Sequence, residues 1–309
     1  MLSHLAAPRV AAVQHFFQTK GETDLYGCYA WSQAVASGLL PILGDFEVSL
    51  RNAVHRSLSQ YHGGVDSFEW MLKTRPNANA QGPALEWHKM KQKTHDEIER
   101  EHAKLRSQRK KGRVTPDDLV AKMSFGFWEK LLQSLTNSVH PAGLQAAVLR
   151  GAFPNAPVTA TVTFGHQSFN AQLVALLARI REVRNRIGHH DQIWRVVEFD
   201  QRGTLGFTPR RPRHTVASLR LFSERIAWLA GWIDPAITSY MRSSDHWWSF
   251  HALLSQNAIA TFRLSGGRVG TYETILREKL GNGQQRWKSV IPARAAQLND
   301  RILKRQFHY

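Results

Sequence analysis

Apolar residues recur three and four positions apart through most long segments of the chain, and strict alternation of apolar and polar residues is rare. This spacing places apolar side chains on one face of an α-helix, whereas a half-buried strand needs alternation. The sequence therefore predicts an all-α helical bundle. One short β-hairpin is predicted at residues 195–207, where two β-prone runs flank a turn that contains glycine. The longest apolar stripe is Phe169, Leu173, Leu176, Leu177, Ile180, Val183 and Ile187.

Particular residues indicate where these helices begin and end. TPDD at 115–118 combines an N-cap threonine, a proline at the first helical position and two acids in the first turn, so a helix is expected to begin there. Pro41 is expected to interrupt the first long helix or to begin the next one. Glu47 and Arg51 lie four apart on that next helix, the spacing at which an acid and a base can pair. Gly188 stands where the striped helix is expected to have its C-terminal cap.

Two segments carry an unusual density of charge. Residues 84–113 predict an exposed, charged helical arm, whose basic end at 106–113 is either solvated or lies against RNA. Residues 253–309 mix basic and aromatic side chains, which either hold phosphates and stack on unpaired bases or pack as a peripheral helical extension. The candidates for RNA contact in this second segment are Arg263, Arg268, Arg286, Trp287, Lys288, Lys304 and Arg305.

The overall charge indicates a polyanionic partner. The chain has 41 Lys and Arg against 24 Asp and Glu, a formal net charge of +17, and such an excess attracts nucleic acid. An anionic membrane is the rival partner, but no amphipathic basic helix and no long apolar run support it, so we expect no membrane association. The single cysteine, Cys28, is expected to be core filler, and the N-terminal residues lack the layout of a signal peptide, which indicates a cytoplasmic protein.

The stretch REVRNRIGHHDQIW at 181–194 ends the striped helix with a cluster of polar groups. Arg184, Asn185 and His189 can converge on one anion, because a guanidinium holds phosphate oxygens, an amide orients them and an imidazole exchanges protons near neutral pH. Alternatively, the basic residues only favour a helix C-terminus through its dipole. No metal is expected, since adjacent histidines rarely share an ion and no metal-binding spacing joins them. Other candidates in this stretch are His190 for catalysis and Arg181 and Arg186 for RNA binding.

Three blocks of the sequence resemble one known family in the same order. RNRIGHHDQIW at 184–194 resembles the RNxxxH (Rx4–6H) signature of the HEPN superfamily of ribonucleases, in the longer form of the Abi-like abortive-infection proteins. FEVSLRNAVHRSL at 46–58 resembles the family's early E-x-x-L-R-N helix, and TPDDLVAKMSFGFWEKLL at 115–132 resembles its DDLVAxLSFGFWxxLL segment. The three blocks fall within residues 20–240.

The resemblance implies a HEPN-like Abi domain over residues 1–240 that includes the arm at 84–113, followed by a basic and aromatic extension over 241–309. It further implies a metal-independent endoribonuclease of phage defence, without a cofactor, in which Arg184 and His189 form the catalytic pair, with Asn185 and His190 beside them. Gly188 departs from the alanine of many members, and this puts the positioning of His189 in doubt.

Two functional hypotheses follow from these observations. In the first, a homodimer cleaves RNA by attack of the 2′-hydroxyl, because two protons must move and two facing clusters would complete the site. In the second, the chain is an RNA-binding module that forms a complex with a structured non-coding RNA, and cleavage is suppressed or absent. A DNA-binding regulator is disfavoured, since no helix-turn-helix pattern is present.

Overall fold

The computed structural model describes residues 4–64, 70–71, 92–108, 114–138 and 140–268. Within these ranges the chain forms eleven α-helices and no β-sheet, which confirms the all-α prediction. None of the described helices is both long enough and apolar enough to cross a membrane. The helices are α1 (Ala7–Phe17), α2 (Glu22–His62), α3 (Gln92–Gln108), α4 (Pro116–Lys122), α5 (Phe125–Ser134), α6 (Leu144–Ala152), α7 (Gln167–Gly188), α8 (Pro212–Ile233), α9 (Pro235–Ser243), α10 (Asp245–Leu253) and α11 (Gln256–Ser265).

The 41-residue helix α2 is the centre of the bundle. Helices from both halves of the chain pack on it, among them α1, α6 and α7 and, from the later part, α8, α10 and α11. Trp31, Phe46 and Leu50 of α2 are fully buried by these contacts. Cys28 is also buried, as predicted, and burial raises the pKa of its thiol to about 12. Its thiol is therefore part of the core.

Pro41 lies inside α2, so the predicted interruption at this residue is wrong. A proline in a helix interior removes one backbone hydrogen bond and costs roughly 3 kcal/mol. Its neighbours Leu39, Ile42 and Leu43 are buried, and full burial of such a side chain contributes about 1.5–3 kcal/mol. Packing on both sides of the proline therefore outweighs the local cost, and the helix continues.

The helix predicted at TPDD begins as expected. Thr115 caps α4, because its hydroxyl accepts the Asp118 N–H at 3.3 Å while the Asp118 carboxylate accepts the Thr115 N–H at 2.7 Å. The chain then turns, and Ser124 caps α5 by accepting the Phe127 N–H. Because α5 packs against α7, this turn brings the acidic residue Glu129 to the side of α7.

The charged arm is less exposed than predicted. Residues 92–108 of the arm form α3, which packs against α4. His95 and Ile98 of this helix are buried, so α3 has one face in the core and is not solvated all round. The remainder of the predicted arm, residues 84–91 and 109–113, lies outside the described residues, and so does most of its basic end.

The first part of the predicted C-terminal extension packs on the same central helix as the rest of the bundle. α10 and α11 contact α2, and the indole N–H of Trp31 donates to the Leu253 carbonyl at 3.0 Å. Gly27 allows the closest approach, because a Cβ at this position would collide with the Phe262 carbonyl. The boundary predicted at residue 240 falls within α9, and residues 269–309 lie outside the described ranges, so the division into a domain and an extension stays a prediction.

The predicted hairpin at 195–207 is reduced to a single antiparallel bridge between Phe199 and Leu205. Glu198 and Phe207 extend the pairing through one backbone hydrogen bond of 2.9 Å. The turn between them is closed by Asp200, whose carboxylate accepts the N–H groups of Arg202 and Thr204. This short hairpin lies against α7, since Arg179 of α7 donates from Nε to the Gly203 carbonyl at 3.2 Å.

Candidate functional site

The polar cluster lies at the end of α7, as the sequence predicts, but the cap has a different geometry. Gly188 is the last helical residue and has an ordinary helical backbone, and His189 follows as the C-cap. The left-handed residue is His190, with φ of 53°. Its N–H donates to the Ile187 carbonyl at 3.0 Å, and the Asp191 N–H donates to the Arg186 carbonyl at 2.8 Å, the pair of bonds of a Schellman motif. The prediction of Gly188 as the cap is therefore wrong, since the C-cap lies one residue later and the left-handed residue two residues later.

An open groove of about 400 Å³ runs along the last turns of α7. It brings together Asn185 and His189, two of the four residues predicted to be catalytic. Asn185 and His189 are both exposed, so their polar atoms are available to a ligand. Arg184 and His190 are not among the lining residues. The groove is lined by Ala178, Arg179, Arg181, Glu182, Asn185, Arg186, His189 and Asp191.

Arg184 faces α2 and not the groove. Its Nε lies 3.6 Å from Oε2 of Glu47, and 42% of the arginine side chain is exposed. The expected helical pair between Glu47 and Arg51 is not formed, because the carboxylate of Glu47 is used by Arg184. Arg51 instead donates from Nη1 to the Ala121 carbonyl of α4 at 3.5 Å. Both arginines therefore join α2 to other helices.

A second ion pair, which the sequence interpretation missed, ties α5 to α7. Nε of Arg181 lies 2.6 Å from Oε2 of Glu129, whose side chain is only 9% exposed. Burial raises the pKa of the Glu129 carboxyl above its usual value, and the adjacent Arg181 cation offsets part of that rise. The only signal in the sequence was an acid among the large apolar residues of FGFWEKLL at 125–132.

These contacts bring the three sequence blocks together in space. Glu47 of the first block contacts Arg184 of the third, Arg51 of the first contacts the second, and Glu129 of the second contacts Arg181 beside the third. Segments separated by more than a hundred residues therefore meet around the second half of α7. We call this set the polar junction: Glu47, Arg51, Glu129, Arg181 and Arg184.

The other predicted RNA-binding residues have different settings. Arg186 lines the groove, where it pairs with Glu182 at 3.1 Å and donates to the Arg195 carbonyl at 3.5 Å. Arg263 lies far from the groove in sequence and pairs with Asp24 through both Nε and Nη2, at 2.5 and 2.7 Å. The guanidinium of Arg268 lies 6.0 Å from the ring centre of Tyr26. The remaining predicted residues, Arg286, Trp287, Lys288, Lys304 and Arg305, lie outside the described residues.

The groove carries three arginines against two acids, Glu182 and Asp191. Each of these arginines already pairs with an acid, Arg181 with Glu129 and both Arg179 and Arg186 with Glu182. An anion therefore competes with these carboxylates for the guanidinium groups, beside an exposed imidazole and an amide. In the described ranges no group of three or more His, Cys, Asp and Glu side chains is placed to hold a metal ion. The groups that are present can bind a phosphate and exchange a proton with it or with its ester oxygens.

Comparison with known proteins identifies the family. Residues 6–195 match the family model described as Abi-like protein, and this span covers more than half of the chain and all three sequence blocks. Searches of curated proteins and of solved structures found no match. The chain belongs to the family of Abi-like proteins, and this membership suggests a role in abortive infection, a form of phage defence.

Proposed function

We propose that the protein is an endoribonuclease of an abortive-infection system, of the HEPN type, that needs no metal ion and acts as a homodimer. The observation that carries the proposal is the groove at the end of α7, where the exposed imidazole of His189 lies beside Asn185 and arginines. Family membership supports the defence role, and the net charge of +17 supports RNA as the substrate.

The reaction is a transesterification within the RNA strand. The 2′-oxygen attacks the adjacent phosphorus, the bond from phosphorus to the 5′-oxygen breaks, and the products carry a 2′,3′-cyclic phosphate and a 5′-hydroxyl. One group must take the proton of the 2′-hydroxyl and another must protonate the 5′-oxygen. His189 supplies one of these proton transfers, Asn185 orients the phosphate, and Arg184 stabilises the growing negative charge on its oxygens.

A second copy of the chain completes the site in this proposal. One chain offers the groove with Asn185 and His189 on one side of α7, whereas Arg184 extends toward α2. A two-fold axis near the end of α7 would place the groove of one copy against Arg184 and His189 of the other. Two imidazoles would then serve the two proton transfers.

Glu47 is a positioning residue for Arg184 in this scheme. The 3.6 Å separation and the 42% exposure of Arg184 describe a loose pair, and exposed pairs of this kind contribute about 0–1 kcal/mol. The contact involves only Nε of Arg184, so the remaining nitrogen atoms of the guanidinium can bind a phosphate while Glu47 holds its orientation. Glu47→Gln should leave the melting temperature nearly unchanged and lower kcat about tenfold with little change in KM, since misplacement of a catalytic group by a fraction of an ångström has effects of this size. An unchanged kcat would remove Glu47 from the scheme.

The test is cleavage of RNA by purified protein in the presence of a chelator. His189→Ala and Arg184→Ala should each lower the rate by about 10²–10⁴-fold, the range for lost acid–base or electrostatic catalysis. His15→Ala is the matched control, because this histidine is also exposed but lies at the end of α1. If the site is composite, an excess of His189→Ala protein mixed with unchanged protein should suppress cleavage, because a mixed dimer has only one of the two imidazoles. Cleavage that survives both substitutions would place the active site elsewhere.

The second candidate function is an RNA-binding module that holds a structured non-coding RNA. The excess of 41 basic over 24 acidic residues favours it, because that charge does not depend on catalysis. A single discrete RNA that copurifies with the protein, together with absence of cleavage, would favour this function. Heterogeneous RNA or none, with chelator-resistant cleavage lost in His189→Ala, would favour the ribonuclease.

A further inference from the structure

Residues 195–207, which follow the groove in sequence, are joined to it by hydrogen bonds from two arginines of α7. Arg186 of the groove donates to the Arg195 carbonyl, and Arg179 donates to the Gly203 carbonyl in the hairpin turn. The first turn of α8 is tied to the same segment, because the Thr215 hydroxyl donates to the Trp194 carbonyl at 2.6 Å. The hairpin and the start of α8 therefore form one surface that is continuous with the groove.

This surface carries arginines that form no close ion pair with an acidic side chain. In the described part of the chain, none of them has an acidic side-chain oxygen within 4.0 Å of its nitrogen atoms. Two acids lie on the same surface: Glu198 accepts a hydrogen bond from Ser218 at 2.6 Å, and Asp200 closes the hairpin turn, where its carboxylate also attracts Arg202. Five arginines against these two acids leave the surface with a net positive charge. All of the arginines are exposed: Arg195, Arg202, Arg210, Arg211 and Arg213.

Helix stability does not explain three arginines within four positions at the start of α8. Arg211 is the N-cap and makes no side-chain capping bond, and no acid lies in the first turn. Positive charge at a helix N-terminus opposes the helix dipole, so these arginines weaken the helix. By contrast, α4 has Asp117 and Asp118 in its first turn, as stability favours. The basic residues of α8 are therefore better explained by an anionic ligand than by the fold.

An aromatic side chain lies among these charges. Phe207 is 43% exposed and packs edge to face against His214, with the ring centres 5.1 Å apart. His214 in turn accepts a hydrogen bond from Nε of Arg213 at 3.3 Å. An aromatic ring held beside arginines is the combination with which proteins bind single-stranded nucleic acid, because bases stack on the ring and phosphates contact the guanidinium groups.

We propose that Arg195, Arg202, Arg210, Arg211 and Arg213 form, with Phe207, a binding surface for single-stranded RNA that leads the strand to the groove containing His189. We call it the arginine surface. The choice of RNA as the partner rests on the proposed ribonuclease function. The choice of a single strand rests on Phe207, because stacking on its ring needs an unpaired base, whereas a duplex presents mainly phosphates and sugars.

The test measures binding apart from cleavage. Fluorescence anisotropy of a short labelled single-stranded RNA, and of the corresponding duplex, is followed in a His189→Ala background over a range of salt concentrations. The variant removes three charges, with Arg210, Arg211 and Arg213 all changed to Ala. The logarithm of the association constant falls linearly with the logarithm of the salt concentration, and loss of three phosphate contacts should make this slope less negative by about 2. Binding near 0.1 M salt should weaken about 100-fold.

The matched control also removes three positive charges, with Lys20, Arg56 and Arg150 changed to Ala. These residues are exposed and lie on other parts of the bundle. Salt screens their charges from RNA bound at the arginine surface, so their removal should change the affinity for RNA less than about threefold. Phe207→Ala should weaken single-strand binding about 5- to 10-fold at an unchanged salt slope, and should leave duplex binding unaltered. Melting curves of all variants show whether they fold.

The outcomes separate this proposal from the ribonuclease proposal. Suppose that the unchanged protein cleaves RNA and His189→Ala does not, while the triple-arginine variant and its control variant bind RNA equally well. Only the arginine surface is then refuted. If no cleavage is found but the arginine variant alone loses RNA binding, the surface stands and the ribonuclease is refuted. Equal effects of Phe207→Ala on single strand and duplex would refute the single-strand class. The same variants are also mixed with vesicles of phosphatidylcholine and phosphatidylserine. If the triple-arginine variant loses binding to these vesicles but binds RNA as well as its parent does, RNA is refuted as the partner of this surface.

Discussion

His190 allows the backbone of the candidate site to be separated from its chemistry. Its φ of 53° lies in the left-handed region, which costs an L-residue about 1–2 kcal/mol, whereas glycine adopts it freely. The side chain is exposed, so its removal sacrifices little packing. His190→Gly should therefore raise the free energy of unfolding by about 0.5–1 kcal/mol, after allowance for the greater freedom of glycine in the unfolded chain.

This change is small but measurable. Unfolding entropy scales with chain length, so for a chain of this size 1 kcal/mol corresponds to about 1–2 °C in melting temperature. Differential scanning fluorimetry or calorimetry resolves such a shift. The matched control is His190→Ala, which also removes the imidazole but keeps a Cβ at the left-handed position. We expect its melting temperature to stay close to that of the unchanged protein.

The same pair of variants tests the part of His190 in cleavage. If the imidazole acts on RNA, both variants lose the same activity in spite of their different stabilities. If only the backbone turn matters, both keep their activity. A His190→Gly protein that melts below His190→Ala would refute the reasoning, because it would show that the left-handed cap is not the strained element described here.

Three further perturbations test the ion pairs and the helix end. Arg181→Ala leaves the Glu129 carboxylate buried without its cation and should destabilise the fold by about 2 kcal/mol near pH 7. Burial already raises the pKa of Glu129, and loss of the cation raises it further, so protonation of Glu129 should reduce the destabilisation as the pH falls. A destabilisation that grows in acid would contradict this explanation. Arg263→Ala should lower the free energy of unfolding by about 2 kcal/mol at neutral pH. Burial opposes ionisation of Asp24, but hydrogen bonds from Arg263 and from the Lys20 N–H lower the pKa of Asp24 below 3.8. In urea titrations the loss of stability should therefore disappear as the pH falls through that lowered pKa, and Asp24→Asn serves as the control. A Cβ added at Gly188 would meet no atom within 4 Å among the described residues outside its own helix turn. Gly188→Ala should therefore stabilise α7 by about 0.5–1 kcal/mol in the same titrations, and a loss of stability would contradict a regular helix end.

Family membership and geometry bear on different parts of the function. The family match covers residues 6–195 and therefore includes the groove and the polar junction, while the arginine surface extends beyond it to residue 213. If the proposed ribonuclease site is common to the family, while all but Arg195 of the proposed RNA-binding surface lies outside the matched span, related chains would act on different RNAs. Exchange of residues 195–214 between two relatives should then transfer the RNA preference and leave the cleavage chemistry unchanged.

Local sequence patterns were enough to predict the helices and several of their ends. Apolar spacing predicted an all-α fold, TPDD predicted the start of α4, and the stripe over 169–187 predicted α7 and its buried face. These features depend on residues within one or two turns of each other, so the sequence contains the information. The candidate residues at the end of α7 were also predictable, because their types and spacing lie within one short segment.

Only the tertiary structure decided which charges meet and which helices continue. Glu47 could reach Arg51 within its own helix, but the packing of α7 on α2 presents Arg184 to it instead. Pro41 has a local cost that only the burial of its neighbours could outweigh, and the exposure of α3 depended on a partner, α4, that follows it in sequence. In each case the deciding contact lies between different helices, and its energy exists only after the helix faces have come together. Residue types and spacing therefore determined the helices and the candidate groups, and packing determined their pairing.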